Sequence, residues 1–521
     1  MKNGKVENIV IVGGGSAGWM TASYLSKMHP NINISLIESS DIPVIGVGEA
    51  TIAHLTRFLH TLGLKDKDWM PECNAAYKYG IRFDNWHEIG DQYWHPFEAI
   101  PYFNSQSHLA TYWWYNRSKQ SNPDSRQSMY SDCFMSTDLL KQNKILRIHG
   151  KPDYSDNFEI NVGPETFPVR VAYAYHFDAG LFGEFLKNRI ATPAGVNHIL
   201  DEITDIEQHE NGNISCLNTK GGKKIEADLF IDCSGFRSLL IEKTLNEPFI
   251  SFSETLFCNK ALAMQIPYED RNKELRPYTT ATALSTGWVW NTPLTSRIGT
   301  GYVFCDDFTD KDTAELEYRQ FLGENRVKDF NTRLINIRVG KFRNTWVKNC
   351  VAIGLSSGFI EPLESTGLHF IHVAAEKLSA SLSGDFYNCG DMLAYNRYIT
   401  LTMEEARDML AIHYGLTNRE DTPFWKEVKY NTKMEGSLPD LLMFSKHRFP
   451  NDKKGFIFGN NSWVCILNGM NYLPEDEFLN IPAAELKKQL ALIDALRKYR
   501  KKIEAQLPNH ADYLAKQAMT S

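Results

Sequence analysis

Lys78 stands in the run Asn74-Ala75-Ala76-Tyr77-Lys78-Tyr79-Gly80-Ile81-Arg82-Phe83, where Tyr77, Tyr79, Ile81 and Phe83 enclose it in apolar sequence. An isolated lysine belongs on a protein surface. An ammonium set among apolar side chains is costly to bury, so this one needs a reason. Desolvation lowers a lysine pKa from about 10.4 and enlarges its neutral, nucleophilic fraction. Such an amine can meet an electrophile. Glu364 lies in Phe359-Ile360-Glu361-Pro362-Leu363-Glu364-Ser365-Thr366-Gly367. A carboxylate there can steady a cationic ring intermediate and take its proton, although Ser365 and Thr366 beside it also suit a helix cap. Trp288-x-Trp290 places two indoles at period two, on one face of a strand, which is equally the pattern of a strand core.

The elements that must carry these residues start at the N-terminus. Asn8 to Val12 reads as a buried strand, Gly13-Gly14-Gly15-Ser16-Ala17-Gly18 leads into a helix through about Met28, and Ile32 to Leu36 alternates as a second strand ending at Glu38. This βαβ unit implies a parallel sheet. In Gly13-x-Gly15-x-x-Gly18 the first glycine permits the tight turn. The second lets the backbone at Gly15, Ser16 and Ala17 approach a pyrophosphate, and the third lets helix and strand pack closely. Glu38 follows Gly18 by twenty residues, positioned for a ribose hydroxyl, so the motif predicts a dinucleotide with an unphosphorylated adenosine ribose.

Farther on, Asn211-Gly212 and Gly221-Gly222 punctuate a meander of hairpins that feeds the apolar strand Ala227 to Gly235. Residues near 98 to 165 lack clear periodicity and read as loops and short helices. From about Gly367 the pattern turns helical. Leu486, Leu490, Ile493, Leu496 and Ile503 recur at helix spacing, with a face that most simply packs on its own domain. The expected division is a module over residues 1–370 and a mainly helical region over 371–521.

The chain has 521 residues, 43% hydrophobic and 23% charged, and a net charge of -7, which offers no support for nucleic acid as a partner. Nine cysteines without a Cys-x-x-Cys pair argue for reduced thiols and against a disulfide framework or metal site. No apolar stretch reaches membrane-spanning length, so the expectation is a soluble, cytoplasmic protein. Its oligomeric state, a homo-oligomer included, is left open.

Taken together, the N-terminal fingerprint, Lys78, the Trp pair and the Phe359–Gly367 segment resemble the flavin-dependent halogenases, especially the tryptophan-halogenase branch. The resemblance runs through nearly the whole chain. It implies an α/β fold of the flavoprotein monooxygenase type, with an FAD-binding parallel sheet, an antiparallel sheet on the substrate side and a helical C-terminal region. Asp228 to Gly235, with Asp232 and Gly235, resembles the second flavin-contacting segment, Gly354 is counted with it, and His176-Phe177-Asp178 matches a further family segment. Gly46-Val47-Gly48-Glu49-Ala50-Thr51 looks like the strap beside the flavin, which would bring Val47, Gly48 and Ala50 to the cofactor, although an ordinary glycine turn fits as well.

No second nicotinamide fingerprint is visible, so a separate flavin reductase would supply reduced FAD. By the same resemblance Lys78 is the essential amine, which holds hypohalous acid or forms a haloamine. Glu364 assists, and the amides of Thr366 and Gly367 bind halide. That is physically sensible, because consecutive N–H groups make an anion nest. Trp288, Trp290 and Pro293 nearly reproduce a W-x-W-x-I-P signature, with Thr292 in place of isoleucine, and would wall the flavin from the substrate.

His95 and Phe97 would stack on an aromatic substrate, unless they are plain core. Members acting on free tryptophan carry a Phe-Trp pair before an Asn-Asn-Ser run, with tyrosines and a glutamate upstream. Here Ile457-Phe458 precedes Asn460-Asn461-Ser462, and residues 446–454 hold neither the tyrosines nor the glutamate. The expected reaction is halogenation of an electron-rich, indole-like arene rather than free tryptophan. A monooxygenase of the same fold and a non-catalytic binding protein on that fold are the rivals.

Overall fold

Asn8–Val12 is buried on both faces after its first residue, as expected of a Val/Ile-rich strand in the middle of a parallel sheet. The computed structural model describes residues 5–40, 48–99, 106–119, 129–147, 156–162, 165–382, 387–450, 455–475 and 483–520. The chain forms two units, each gathered from three stretches. The first takes Met1–Ala75, Phe177–Ser253 and Asn336–Ala406, and the second takes Ala76–His176, Glu254–Ile335 and Arg407–Ser521.

In the first unit a six-stranded sheet runs in the order Asn197–Leu200, Asn33–Glu38, Asn8–Val12, Leu229–Asp232, Cys350–Ala352, Trp346–Val347. All its pairings are parallel except the last. The helix Ser16–Met28 follows the first strand, and the meander Ile203–Gln208, Ile214–Thr219, Lys224–Glu226 pairs antiparallel, as the glycine punctuation implies. Gly212 and Gly222 hold φ of 76° and 79° at its two turns. These are the left-handed conformations that glycine adopts without strain.

In the second unit Lys260–Ile266, Ile298–Phe304, Gly287–Pro293, Thr279–Ala283, Gly80–Asp84 and Gln92–Pro96 lie side by side as six strands of a seven-stranded sheet whose outer strand is Arg333–Asn336. The six pair antiparallel except where Thr279–Ala283 meets Gly80–Asp84. The stretch near 98 to 165 differs from the expectation of loops and short helices. It holds a helix of 14 residues, Gln106–Lys119, and a hairpin of Asp156–Val162 with Glu165–Val171. Leu109, Ala110 and Trp113 of that helix bury against Tyr130, Phe134, Phe449 and Val464. Such long-range packing outweighs weak local periodicity. Beyond Gly367 the described elements are helices, and Leu490 and Ile493 of Ala483–Glu504 pack into the same cluster. That amphipathic face is therefore spent on its own unit.

Gly18 shows how tightly the fingerprint is built. A Cβ there would lie 1.9 Å from the Gly13 carbonyl oxygen and 3.3 Å from Leu36. Gly18→Ala is expected to lower stability by about 1–3 kcal/mol through this overpacking. It is read as a lower midpoint in urea unfolding; a midpoint equal to wild type would contradict the packing described.

Candidate functional site

The first unit holds a cradle for a dinucleotide. Gly13 turns with φ 114°, and the helix Ser16–Met28 opens at Gly15 with no side-chain cap, leaving its first amides to an outside acceptor. A Cβ at Gly15 would meet nothing within 4 Å, so the approach to these amides is open. Ser16 and Ala17 begin the helix. Glu38 ends its strand with the carboxylate over Gly14, 1.7 Å from where a Cβ would be, and Oε1 lies 2.7 Å from Nε2 of His198. These residues fit a pyrophosphate and a ribose.

Asp232 is fully buried. Its Oδ1 accepts from the Ser234 amide and hydroxyl, and its Oδ2 from the amides of Leu240 and Ile241. Burial raises its pKa and these bonds oppose that rise. With its acceptor directions filled by its own chain, Asp232 builds the turn that carries Gly235. Gly48, Gly235 and Gly354 hold φ of 102°, 70° and 79°, and Gly354 lies against Ala17. Ala50 closes the short strand Glu49–Ala50. Burial pushes the Glu49 carboxyl up to about 7, a group poised near neutrality that the sequence reading passed over. Val47 lies outside the described residues.

The Phe359–Gly367 segment folds as one tight turn. Pro362–Glu364 makes a 3₁₀ turn, Ser365 takes left-handed angles (φ 60°, ψ 37°), and Thr366 returns to right-handed ones (φ −89°, ψ −9°) before the helix Gly367–Ser381. That succession aims consecutive N–H groups at one point, the geometry of an anion nest. Thr366 provides no side-chain cap, and open space surrounds the position of a Cβ on Gly367. Glu361 and Glu364 are both fully buried. Glu364 thus sits in the turn before the helix, without being its N-cap residue.

The second unit gathers Lys78, His95, Phe97 and Phe458. Lys78 closes the strand Ala76–Lys78 and has no exposed surface; its Nζ lies 5.0 Å from the centroid of the Phe97 ring. The flanking backbone is pinned: the Tyr79 amide donates to the Pro277 carbonyl, and the Phe97 amide donates to the Tyr79 carbonyl, both at 2.8 Å. His95 meets Phe97 edge-on at 5.8 Å and Phe458 at 6.2 Å. Ile457 and Phe458 are buried just ahead of the helix Asn460–Gly469. Asn461 accepts the Tyr130 hydroxyl, which accounts for an Asn-Asn-Ser anchor at this place.

Trp288 and Trp290 lie on one face of Gly287–Pro293 with ring centroids 6.4 Å apart, and Trp288 also meets Trp86 at 6.2 Å. Thr292, between Trp290 and Pro293, is buried.

Two further groups, Arg147 and His510, escaped the sequence reading, and a third, His176, was named there only within a family segment. His176 pairs across from Ala76, two residues along from the partner of Lys78, with Nε2 2.8 Å from the Thr279 hydroxyl. Burial, then the charge of Lys78, holds its pKa well below the ordinary imidazole range. On the opposite face, Arg147 lies 4.5 Å over the ring of Tyr77 and 4.6 Å over that of Tyr173. His510 accepts the amide of Tyr77. Only the His176-Phe177-Asp178 run had any signal in sequence; the other two reach the site from distant segments. Among the described residues no cluster of metal ligands occurs, and no helix is long and apolar enough to cross a membrane.

Residues 8–483 match the family model for tryptophan halogenases. The chain is 35% identical over 523 residues to the 7-chloro-L-tryptophan 6-halogenase KtzR of Kutzneria sp. (strain 744), covering 98% of this chain and 99% of that one. Among solved structures it resembles the tryptophan halogenase of Shewanella frigidimarina, with TM-score 0.89, 28% identity and coverage of 100% and 99% of the two chains. It also resembles BrvH, a flavin-dependent halogenase from Brevundimonas sp. BAL3, with TM-score 0.84, 31% identity and coverage of 98% and 99%. The chain belongs to the tryptophan halogenase family. It is an enzyme of the flavin-dependent halogenase class, which draws reduced flavin from a separate reductase.

Four buried histidines bear on acid stability. Burial holds His510 at about 3 and His372 at about 4, and holds His176 and His369 well below the ordinary range. The unfolded chain, with imidazoles near 6.5, binds more protons below that pH. Their contribution to stability is therefore fully present above about pH 6.5 and is lost as pH falls through the folded values. Melting temperature is expected to be level from pH 8 to 7 and to fall steadily from 6.5 toward 4, with a shallower fall in His372→Gln; a level profile down to pH 4 would contradict this account.

Proposed function

We propose that this enzyme halogenates electron-rich, indole-like arenes with reduced FAD, dioxygen and a halide, and that Lys78 delivers the halogen. The observation that carries the reading is the Lys78 amine, without exposed surface and set against the Phe97 ring, with His95 against that ring and Phe458 against His95. Gly13, Gly15, Ser16, Ala17, Gly18 and Glu38 would hold the FAD, with Gly354 and the turn at Gly235 shaping the same cradle. When bound, reduced FAD supplies the activation of dioxygen that oxidises halide to hypohalous acid.

The nest at Thr366 and Gly367 binds the halide through backbone amides. Trp288, Trp290 and Pro293 keep the organic substrate from the cofactor while a small oxidant passes. The Lys78 amine reacts with hypohalous acid, forming an N–halogen bond and releasing water; hydrogen bonding of intact hypohalous acid by the same amine is the weaker variant of this step. The arene then attacks the halogen, the N–halogen bond breaks with its electron pair returning to nitrogen, which takes up a proton from water, and the ring cation loses its proton to the Glu364 carboxylate, which returns it to water. The amine leaves the cycle as it entered.

Lys78→Ala is expected to abolish halogenation while FAD binding and oxygen consumption persist. Glu364→Gln is expected to slow halogenation by about two orders of magnitude. Product analysis by mass spectrometry, with reductase, NADH, FAD and bromide over an indole panel, checks both. Wild-type rates in either variant would contradict the role assigned, and hydroxylated or unchanged substrate with the native enzyme would favour the monooxygenase or the binding protein.

The substrate reading departs from the relative named for 7-chloro-L-tryptophan. A site that selects a free amino acid pairs its ammonium and carboxylate, and such polar groups penalise ligands lacking them. Here Ile457 and Phe458 are buried, Phe458 beside His95, Phe449 belongs to an apolar cluster, and Lys446 is paired with Glu475 at 2.8 Å. Residues 451–454 lie outside the described residues. In direct competition, indole is expected to be halogenated in preference to free tryptophan; a clear preference for tryptophan would overturn the substrate reading and leave the halogenase assignment standing.

A further inference from the structure

The strand that carries Lys78 is an edge. Among the described residues Ala76–Lys78 has a strand neighbour on one side only, Ala174–Phe177. An edge leaves outward amides to be satisfied by other means. The amide of Tyr77, immediately before the lysine, donates at 3.1 Å to Nε2 of His510, 433 residues away in sequence. The other ring nitrogen, Nδ1, lies 3.0 Å from the Leu275 carbonyl oxygen. A backbone amide can only donate and a carbonyl can only accept, so these partners fix one tautomer: hydrogen on Nδ1, a bare Nε2. A proton on Nε2 would cost the bond to Tyr77.

The ring is fully buried, and burial, opposed by the bond to Leu275 and aided by the nearby Arg271, holds its pKa at about 3. The Tyr77 ring lies 6.3 Å from that of His510 and 6.0 Å from that of Tyr513. Arg147 covers the Tyr77 ring.

The placement of His510 is itself determined locally. Asn509 accepts the Ala511 amide at 2.9 Å, capping the helix His510–Thr520 so that His510 is its first residue. The His510 amide donates to the Asn143 carbonyl at 2.8 Å, and Lys144 bridges Asn509. The imidazole therefore enters from a fixed helix end.

We propose that His510 is a positioning residue for Lys78: its neutral imidazole spans from the Leu275 carbonyl to the Tyr77 amide and holds the edge strand where the lysine amine can hand halogen to the arene. The inference rests on the role of Lys78 proposed above. His510 touches neither substrate nor cofactor; it acts through the backbone of the residue next to the amine.

The test compares wild type, His510→Phe and His510→Gln in reductase-coupled turnovers with bromide and indole, reading brominated indole formed per dioxygen consumed. His510→Phe is expected to lower that ratio about tenfold, since small displacements of a reacting group are costly, with oxygen consumption and FAD affinity close to wild type and untransferred hypobromous acid captured by a 1,3-diketone trap. His510→Gln, which keeps an acceptor for the Tyr77 amide, is expected to restore most of the ratio. An unchanged ratio in His510→Phe overturns the proposal. So does a fall in product that merely tracks lost FAD affinity.

Should the phenylalanine variant fail to fold, hydrogen exchange on the wild-type protein decides. The Tyr77 amide is expected to be strongly protected at pH 7, and exchange at the rate of an open amide overturns the bridge. Wild type that forms no brominated indole would instead contradict the functional reading, while the exchange measurement still judges the bridge on its own.

Discussion

A lysine with no exposed surface is the constraint on which the second unit turns. Taking an ammonium out of water costs several kcal/mol unless its surroundings compensate or the proton is given up. The ring of Phe97, 5.0 Å from Nζ, compensates in part through its π face. The surrounding strands then have to hold that geometry without relaxing, and they do so through backbone bonds on both sides of the residue. Tyr77 is tied to His510, and Tyr79 is tied to Pro277 and Phe97. An amine so confined is poor surface and good chemistry: it can be neutral and nucleophilic, and an arene can be brought against it by His95 and Phe458.

The first unit solves a different problem, the handling of anions, and does so with backbone. The open amides at Gly15, Ser16 and Ala17 suit a pyrophosphate, and the left-handed Ser365 followed by Thr366 and Gly367 suits a small anion. Both cradles are built on backbone amides of the described residues. Asp232 serves both the sheet and the cradle by saturating four donors of the turn after it.

What was legible in the sequence follows from where the information sits. The glycine fingerprint, the strand it follows and the glutamate twenty residues on are local, and so are the meander turns; the structure has all of them. Lys78 was legible because its apolar neighbours are adjacent in sequence. The helix Gln106–Lys119 was not, since its Tyr, Trp and Ser residues blur the period that its contacts with Tyr130, Phe449 and Val464 later impose. His510 and Arg147 were invisible for the same reason in stronger form: each meets the lysine strand across a sequence separation that no window spans. Asp232 stood out as part of a motif, yet its saturation by its own chain could be read only from the folded turn.

The central claim is that oxidised halogen is handed to the arene by Lys78, and delayed addition of substrate tests it most directly. Enzyme, reduced FAD, oxygen and bromide react without arene until the flavin is fully reoxidised, free oxidant is removed by rapid desalting, and indole is then added. The account predicts brominated indole from wild type and none from Lys78→Met carried through the same steps. Equal product from both, or none from wild type that brominates indole when all components are present together, would contradict a halogen held by the lysine.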